Sequence, residues 1–234
     1  MGRGLRDGRI ETVAEACRVT SATVDRAAFI RANTSLLSPP LIPEVKLHLA
    51  HEAVPLWMKT EEELGELGLP PPFWAFAWAG GQALARYVLD KPAIVRGRRI
   101  IDLATGSGLV AIAAMKAGAA HVLAADIDAF AVESARLNGA ANGVAIATTR
   151  DNLLLEPAPS CDVILVGDLF YEKAVATAAL AWLRATARPV FIGDPGRSYL
   201  PKDALEKIAE YEVPVTRDLE DAEIKRTAVW RLKG

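Results

Sequence analysis

The chain has 234 residues, 51% of them hydrophobic, with 27 basic and 29 acidic side chains and a net charge of −2. That length and apolar fraction fit one domain with a sizeable core, and the balanced charge gives no bias toward nucleic acid or a membrane surface. No apolar run is long enough to span a bilayer, the charged start lacks the core of a secretory signal, and Cys17, Cys161, His48, His51 and His121 make no metal or redox spacing, so a metal-free protein in a reduced, cytoplasmic setting is expected.

Residues 1–30 read as a polar extension carrying short helices near Glu11–Val19 and Asp25–Ala32, and residues 31–234 as the domain proper. The stretch from Ile42 to Leu49 fits either helix or strand: Pro43 suits a first helical turn, while Val45, Leu47 and Leu49 alternate. Thr60 and Glu63 form a capping box for a helix to Leu67, and Pro70, Pro71 and Pro72 then force extended chain. In Phe73–Gly81, aromatics alternate with alanine and approach a Gly-Gly pair. Period two would put Trp74, Phe76 and Trp78 on one face of an extended segment. Two readings stand open for it: core aromatics under a loop, or a lid whose glycines let backbone approach a ligand, with Trp78 against that ligand. Gln82–Leu89 reads as a helix.

Arg99-Ile100-Ile101 is a buried strand, Asp102–Gly108 a tight glycine loop, and Leu109–Lys116 an alanine-rich helix stopped at Gly118. His121–Ala125 is a second buried strand ending on Asp126. This is a βαβ unit with a ligand loop at the carboxyl end of its first strand. Gly106 and Gly108 permit a sharp turn and close ligand approach. Asp126 is placed to accept hydrogen bonds from both hydroxyls of a ribose. The string Gly106-x-Gly108-x-x-Ala111 also fits a dinucleotide fingerprint. However, the acid at Asp102 and three further residues precede the first glycine, which suits an amino group and a sulfonium better than a pyrophosphate.

Asp128 caps a helix over Ala129–Asn138, and Val144–Thr149 is a third strand. Asp151 and Asn152, at its end, are candidates for the exocyclic amine of an adenine, or else turn residues. Asp162–Gly167 is a fourth strand, and Asp168-Leu169-Phe170-Tyr171 leaves its carboxyl end on the cofactor edge. Lys173–Ala187 is a helix and Arg188–Ile192 a fifth strand, followed by the loop Gly193-Asp194-Pro195-Gly196-Arg197. Pro201–Tyr211 reads as a helix. Val213–Thr216 and Thr227–Leu232 read as a closing antiparallel hairpin. The expected fold is α/β: a doubly wound, mostly parallel seven-stranded sheet with that hairpin and a helical N-terminal extension.

Asp102-x-Ala104-x-Gly106-x-Gly108 resembles the first motif of class I, seven-strand S-adenosylmethionine-dependent methyltransferases, with Ala104 where the usual first glycine stands. The resemblance implies S-adenosylmethionine as cofactor, held by Trp78, Asp102, Thr105, Gly106, Gly108, Asp126, Ile127, Asp151 and Asn152. Asp168-x-x-Tyr171 resembles the Asp-x-x-Tyr motif of a group acting mainly on protein lysines, and lacks the two prolines of the amino-methylating nucleic-acid enzymes. Asp168 would orient the incoming amine and Tyr171 would add a hydroxyl and an aromatic wall. The Asn33–Leu49 stretch, the Phe73–Tyr87 segment and the Ile192–Arg197 loop are similar to the family of electron-transfer flavoprotein β-subunit lysine methyltransferases, over about residues 30–232. That resemblance implies N-methylation of lysines on a folded protein partner, the flavoprotein β subunit; a monomer with no nucleic-acid or membrane partner is the accompanying expectation. A ribosomal protein L11-type or small-molecule methyltransferase, a nicotinamide-dependent oxidoreductase and a non-catalytic cofactor-binding module are the alternatives.

Overall fold

The computed structural model describes residues 25–51, 55–56, 71–215 and 224–234. The helices expected over Glu11–Val19 and Thr60–Leu67 lie outside them. Asp25 caps helix α1 (Arg26–Asn33) by accepting from Ala28 N at 3.0 Å, as side-chain oxygens do at helix starts. The expected boundary at residue 30 falls inside this helix. Strands β1 (Ser35–Leu37) and β2 (Leu47–Leu49) form a separate two-stranded antiparallel sheet, so the alternation of Leu47 and Leu49 prevails over the helix-start signal of Pro43.

The aromatic segment is not an extended strip. Phe73–Ala75 forms a 3-10 turn, and helix α2 (Ala79–Asp90) starts three residues earlier than expected, with both glycines in its first turn. Trp74 instead turns inward and stacks on Phe130, ring centroids 5.5 Å apart. Its burial gives the segment an anchor.

Strands β3 (Arg99–Leu103), β4 (His121–Ala125), β5 (Ala147–Thr149), β6 (Val163–Gly167) and β7 (Val190–Asp194) pair in parallel. Strands β8 (Leu205–Pro214) and β9 (Ile224–Leu232) close the sheet antiparallel, in the order β5-β4-β3-β6-β7-β9-β8. The direction of winding reverses between β3 and β6, where open α/β sheets leave a crevice for ligands. Side chains alternate between faces as strand geometry requires. Ile100, Val122 and Leu165 join the core under α2 and helix α3 (Leu109–Lys116); Ile101, Leu103 and Val166 join the core under helix α5 (Lys173–Ala185).

Two boundaries depart from expectation. Helix α4 (Ala129–Ala141) passes through Asn138-Gly139. The Asn138 side chain is occupied by accepting from His48 N at 2.7 Å and donating to Ser107 O at 2.8 Å, which ties β2 to the glycine loop. The stop comes instead at Asn142-Gly143, where Gly143 has φ +67°. The helix expected over Pro201–Tyr211 is a correction of type: after one 3-10 turn the chain enters β8. Glu and Lys favour helix only weakly. The alternation of Tyr211 and Val213 toward the α2 face, with ladder bonds to β9, outweighs that preference.

Candidate active site

The glycine loop is organised by Asp102. Its carboxylate is buried, and Oδ2 accepts from Thr105 Oγ1 at 2.5 Å and from Ala111 N at 3.1 Å. One acid therefore holds the turn shut and caps the N-terminus of α3. Burial pushes its pKa up to about 7, against the opposing pull of those two hydrogen bonds. An anion would find this helix end already occupied by a carboxylate, whereas a pyrophosphate needs it free.

Ala104 takes φ +55° here. A left-handed alanine costs about 1–2 kcal/mol, and a glycine returns about 0.4–1 kcal/mol through the unfolded chain. Ala104→Gly is therefore expected to raise stability by about 0.5–1 kcal/mol, read as a higher urea midpoint. A lower midpoint would show that the alanine methyl packs better than its backbone strain costs.

Gly106 donates its N–H to Asp126 Oδ2 at 3.0 Å, and a Cβ there would meet nothing within 4 Å. Asp126 Oδ1 accepts from Asp128 N at 3.0 Å. A carboxylate has about four acceptor sites, so this acid, fixed by the backbone N–H groups of Gly106 and Asp128 with a contribution from Ile127, still has capacity toward a diol. Burial raises its pKa. Asp128 caps α4 on Phe130 N at 2.8 Å, as expected. Beyond β5, Thr149 Oγ1 donates to Asp151 Oδ2 at 2.7 Å, and Asn152 Oδ1 accepts from Leu154 N at 3.2 Å.

Asp168 sits at φ +53° just past β6. Its Oδ2 accepts from Gly81 N at 3.0 Å. Oδ1 accepts from Arg197 Nε at 3.0 Å and Nη2 at 2.8 Å. Burial lifts the Asp168 pKa to about 6; Arg197 opposes the rise, and Asp194 adds to it. Tyr171 is 48% exposed and its ring meets Phe73 edge-on at 5.6 Å. Burial, then the charges of Asp126 and Glu172, raises its hydroxyl pKa.

These groups surround one cavity of about 560 Å³ at the carboxyl ends of β3, β4, β5 and β6, within the ~300–1,000 Å³ usual for small-molecule sites. Gly106, Asp126, Ile127, Asp151, Asn152, Trp78, Asp168 and Tyr171 all line it, and Ile127, at 64% exposure, is an apolar wall beside Asp126. Asp102 and Thr105 instead line a smaller adjoining recess, with Trp78, Gly81 and Asp168. Gly108 is among the lining residues of neither, and a Cβ on it would fall 2.9 Å from Ala135 Cα, so this glycine lets α3 pack close to α4. Nor do Gly80 and Gly81 line the large cavity; Gly80 presses on β7, and a Cβ there would overlap the Gly193 carbonyl oxygen.

Arg197 is the lining residue that sequence reasoning passed over, although its loop was noted. The usable signal was a single cation in a loop on the same edge as Asp168. Among the described charged groups lining the cavity, Asp126, Asp128, Asp151 and Asp168 outnumber Arg197. Carboxylates and aromatic rings suit a sulfonium and a primary amine and oppose phosphates, and the open face of Gly106 leaves room against the loop. The residues present therefore fit a nucleoside bearing a sulfonium.

A seven-stranded doubly wound sheet with this hollow at its switch point defines a Rossmann-like methyltransferase. Magnesium protoporphyrin IX methyltransferase of Synechocystis, solved with bound SAM, superimposes with a TM-score of 0.50 at 15% identity, over 65% of this chain and 78% of that one. The sequence model of the ribosomal protein L11 methyltransferase family matches residues 82–167. The Xenopus laevis electron transfer flavoprotein beta subunit lysine methyltransferase is 38% identical over 90% of this chain and 88% of its own. The human protein of that name is 34% identical, over 87% of this chain and 80% of its own. The chain belongs to the family of electron transfer flavoprotein beta subunit lysine methyltransferases.

Proposed function

We propose that the protein methylates lysine side chains on the β subunit of electron-transfer flavoprotein, using S-adenosylmethionine. What supports this substrate over ribosomal protein L11 is extent. Similarity to the flavoprotein enzymes spans the aromatic segment, the cavity and the β7 loop, while the L11 match stops at the end of β6.

S-adenosylmethionine, when bound, supplies an electrophilic methyl on a sulfonium. The protein's own part is to bind, orient and exclude water. In this reading Asp126 holds the ribose hydroxyls, Ile127 flanks the base, and Asp151 and Asn152 face its amine. Trp78 walls the sulfonium side, and Asp102 with Thr105 shapes the adjoining recess. Asp168, ionised, accepts an N–H of the target amine and aims the nitrogen lone pair. Tyr171 adds a hydroxyl and a ring face for the methylated ammonium. The lysine, with a free pKa of ~10.4, must first lose a proton to solvent.

The test incubates the purified protein with S-adenosylmethionine and either the flavoprotein β subunit or L11. Intact-mass spectrometry then looks for added methyl groups. Methylated L11 with an unmodified β subunit would reverse the assignment. Asp126→Ala is expected to weaken S-adenosylmethionine binding about 10- to 100-fold, the loss of one or two hydrogen bonds to a charged acceptor. Calorimetry reads this directly, and an unchanged Kd would mean that another group holds the ribose.

A further inference from the structure

Asp168 is a carboxylate in a buried position, and the structure holds it from two sides. Gly81 N reaches Oδ2 from the first turn of α2. The Arg197 guanidinium places Nε and Nη2 on Oδ1. Asp194, at the end of β7, opposes that hold as a like charge; Oδ2 of this acid is buried without a partner among the described residues. Its Oδ1 accepts from Gly196 N at 2.6 Å and Arg197 N at 2.7 Å, which sets the loop that carries the arginine. The guanidinium carbon also lies 5.7 Å from the centre of the Trp78 ring. The arginine is thus fixed at backbone, head group and face, at the wall of the cavity.

We propose that Arg197 is a positioning residue for methyl transfer: its guanidinium, fixed by the Asp194 turn and Trp78, keeps Asp168 ionised and aimed at the target amine. The inference rests on the reading of Asp168 as the carboxylate that receives that amine. Without the cation, the described neighbours of the Asp168 carboxylate would be a second carboxylate, Asp194, and the Gly81 N–H. Asp126, Asp128, Asp151 and Tyr171 line the same cavity, and burial, with the charges of Asp126 and Glu172, raises the Tyr171 hydroxyl pKa. Burial and like charges then favour the protonated acid, whose O–H would donate to the nitrogen lone pair that must attack the methyl.

An adjacent cation lowers a carboxylate pKa by roughly one to three units. Arg197→Gln should therefore move the acidic limb of kcat/KM upward by about one to three pH units. A two-unit move would lower kcat/KM about tenfold at neutral pH and restore it in alkaline buffer. Titration of the target lysine and of Asp102 is common to both proteins and cancels in the ratio of variant to wild type at each pH, while Asp194, whose pKa Arg197 also lowers, moves together with Asp168. A loss of packing alone would give a ratio independent of pH. Arg197→Lys keeps the charge without the fork, and should show a smaller move of the same sign.

The experiment measures initial rates with labelled S-adenosylmethionine and the flavoprotein β subunit from acid to alkaline pH. The panel is wild type, Arg197→Gln, Arg197→Lys and Asp168→Asn, with thermal unfolding run alongside. A limb displaced upward in Arg197→Gln, with activity recovering at high pH, supports the proposal. A flat ratio, or a profile overlaying wild type, overturns it while Asp168→Asn remains inactive and the reading of Asp168 stands. Full activity in Asp168→Asn removes that reading, and the proposal with it. If Arg197→Gln does not fold, the Arg197→Lys limb decides.

Discussion

Asp168→Asn is expected to lower kcat/KM for methyl transfer at least ~10²-fold while the protein stays folded and still binds S-adenosylmethionine. Asparagine is chosen over alanine because the residue sits at φ +53°, a region that asparagine and aspartate visit more readily than alanine does. The amide has the same shape but no charge, and only one of its ends accepts. If its oxygen faces Gly81 N, its NH2 group points at the arginine, donor against donor. Either way the incoming amine loses a charged acceptor, and misplacement of a reacting group by about 1 Å costs about 10²-fold.

Stability gives the control its sign. The folded pKa of Asp168, about 6, lies above its ordinary value of 3.8. The native state therefore holds the proton more tightly, and this group's contribution is fully present below pH 3.8 and is lost as pH rises through about 6. An asparagine side chain in its place cannot ionise, so the variant escapes that loss at neutral pH and should not unfold early on this account. A variant that melts like wild type and is inactive locates the defect in the site. One that is fully active removes Asp168 from the mechanism.

The βαβ unit and the edge of the sheet were legible because their signals are local. Asp102, Gly106, Asp126 and Asp168 each stand at or just beyond a strand end, and apolar runs mark strand ends clearly. The end of the chain was misread because Leu205–Val213 is rich in Glu and Lys, and its strand character comes from pairing with β9, a partner further along the chain. Arg197 was passed over for a related reason. Its loop was visible, but nothing in the spacing says that a guanidinium there reaches back to a carboxylate on another strand. The packing role of Gly108 was not legible, because a glycine in a loop looks the same whether a cofactor or a neighbouring helix presses on it, and only the fold brings Ala135 against it.

The same distinction makes the adjacent glycines of α2 a direct test, since Gly80→Ala and Gly81→Ala should give opposite results. Both sit in the first helical turn, neither has positive φ, and helix propensity favours alanine at each by up to ~1 kcal/mol. Their neighbours differ. A Cβ on Gly80 would overlap the carbonyl oxygen of Gly193 and lie 2.5 Å from Asp168 Oδ2. The overlapped atom is sheet backbone, so the helix must move. On Gly81 the nearest atom would be Leu109 Cδ2 at 4.0 Å, an ordinary contact. Overpacking of this kind costs about 1–3 kcal/mol, occasionally more. At ~2–4 °C per kcal/mol for a chain of this size, that lowers the Tm of Gly80→Ala by about 2–12 °C. Recession of the helix would also draw Gly81 N away from Asp168, so activity should fall alongside stability. Gly81→Ala should melt at or slightly above the wild-type temperature. If both variants behave alike, α2 does not depend on this close approach to β7, and the hold on Asp168 from that side is weaker than its 3.0 Å hydrogen bond implies.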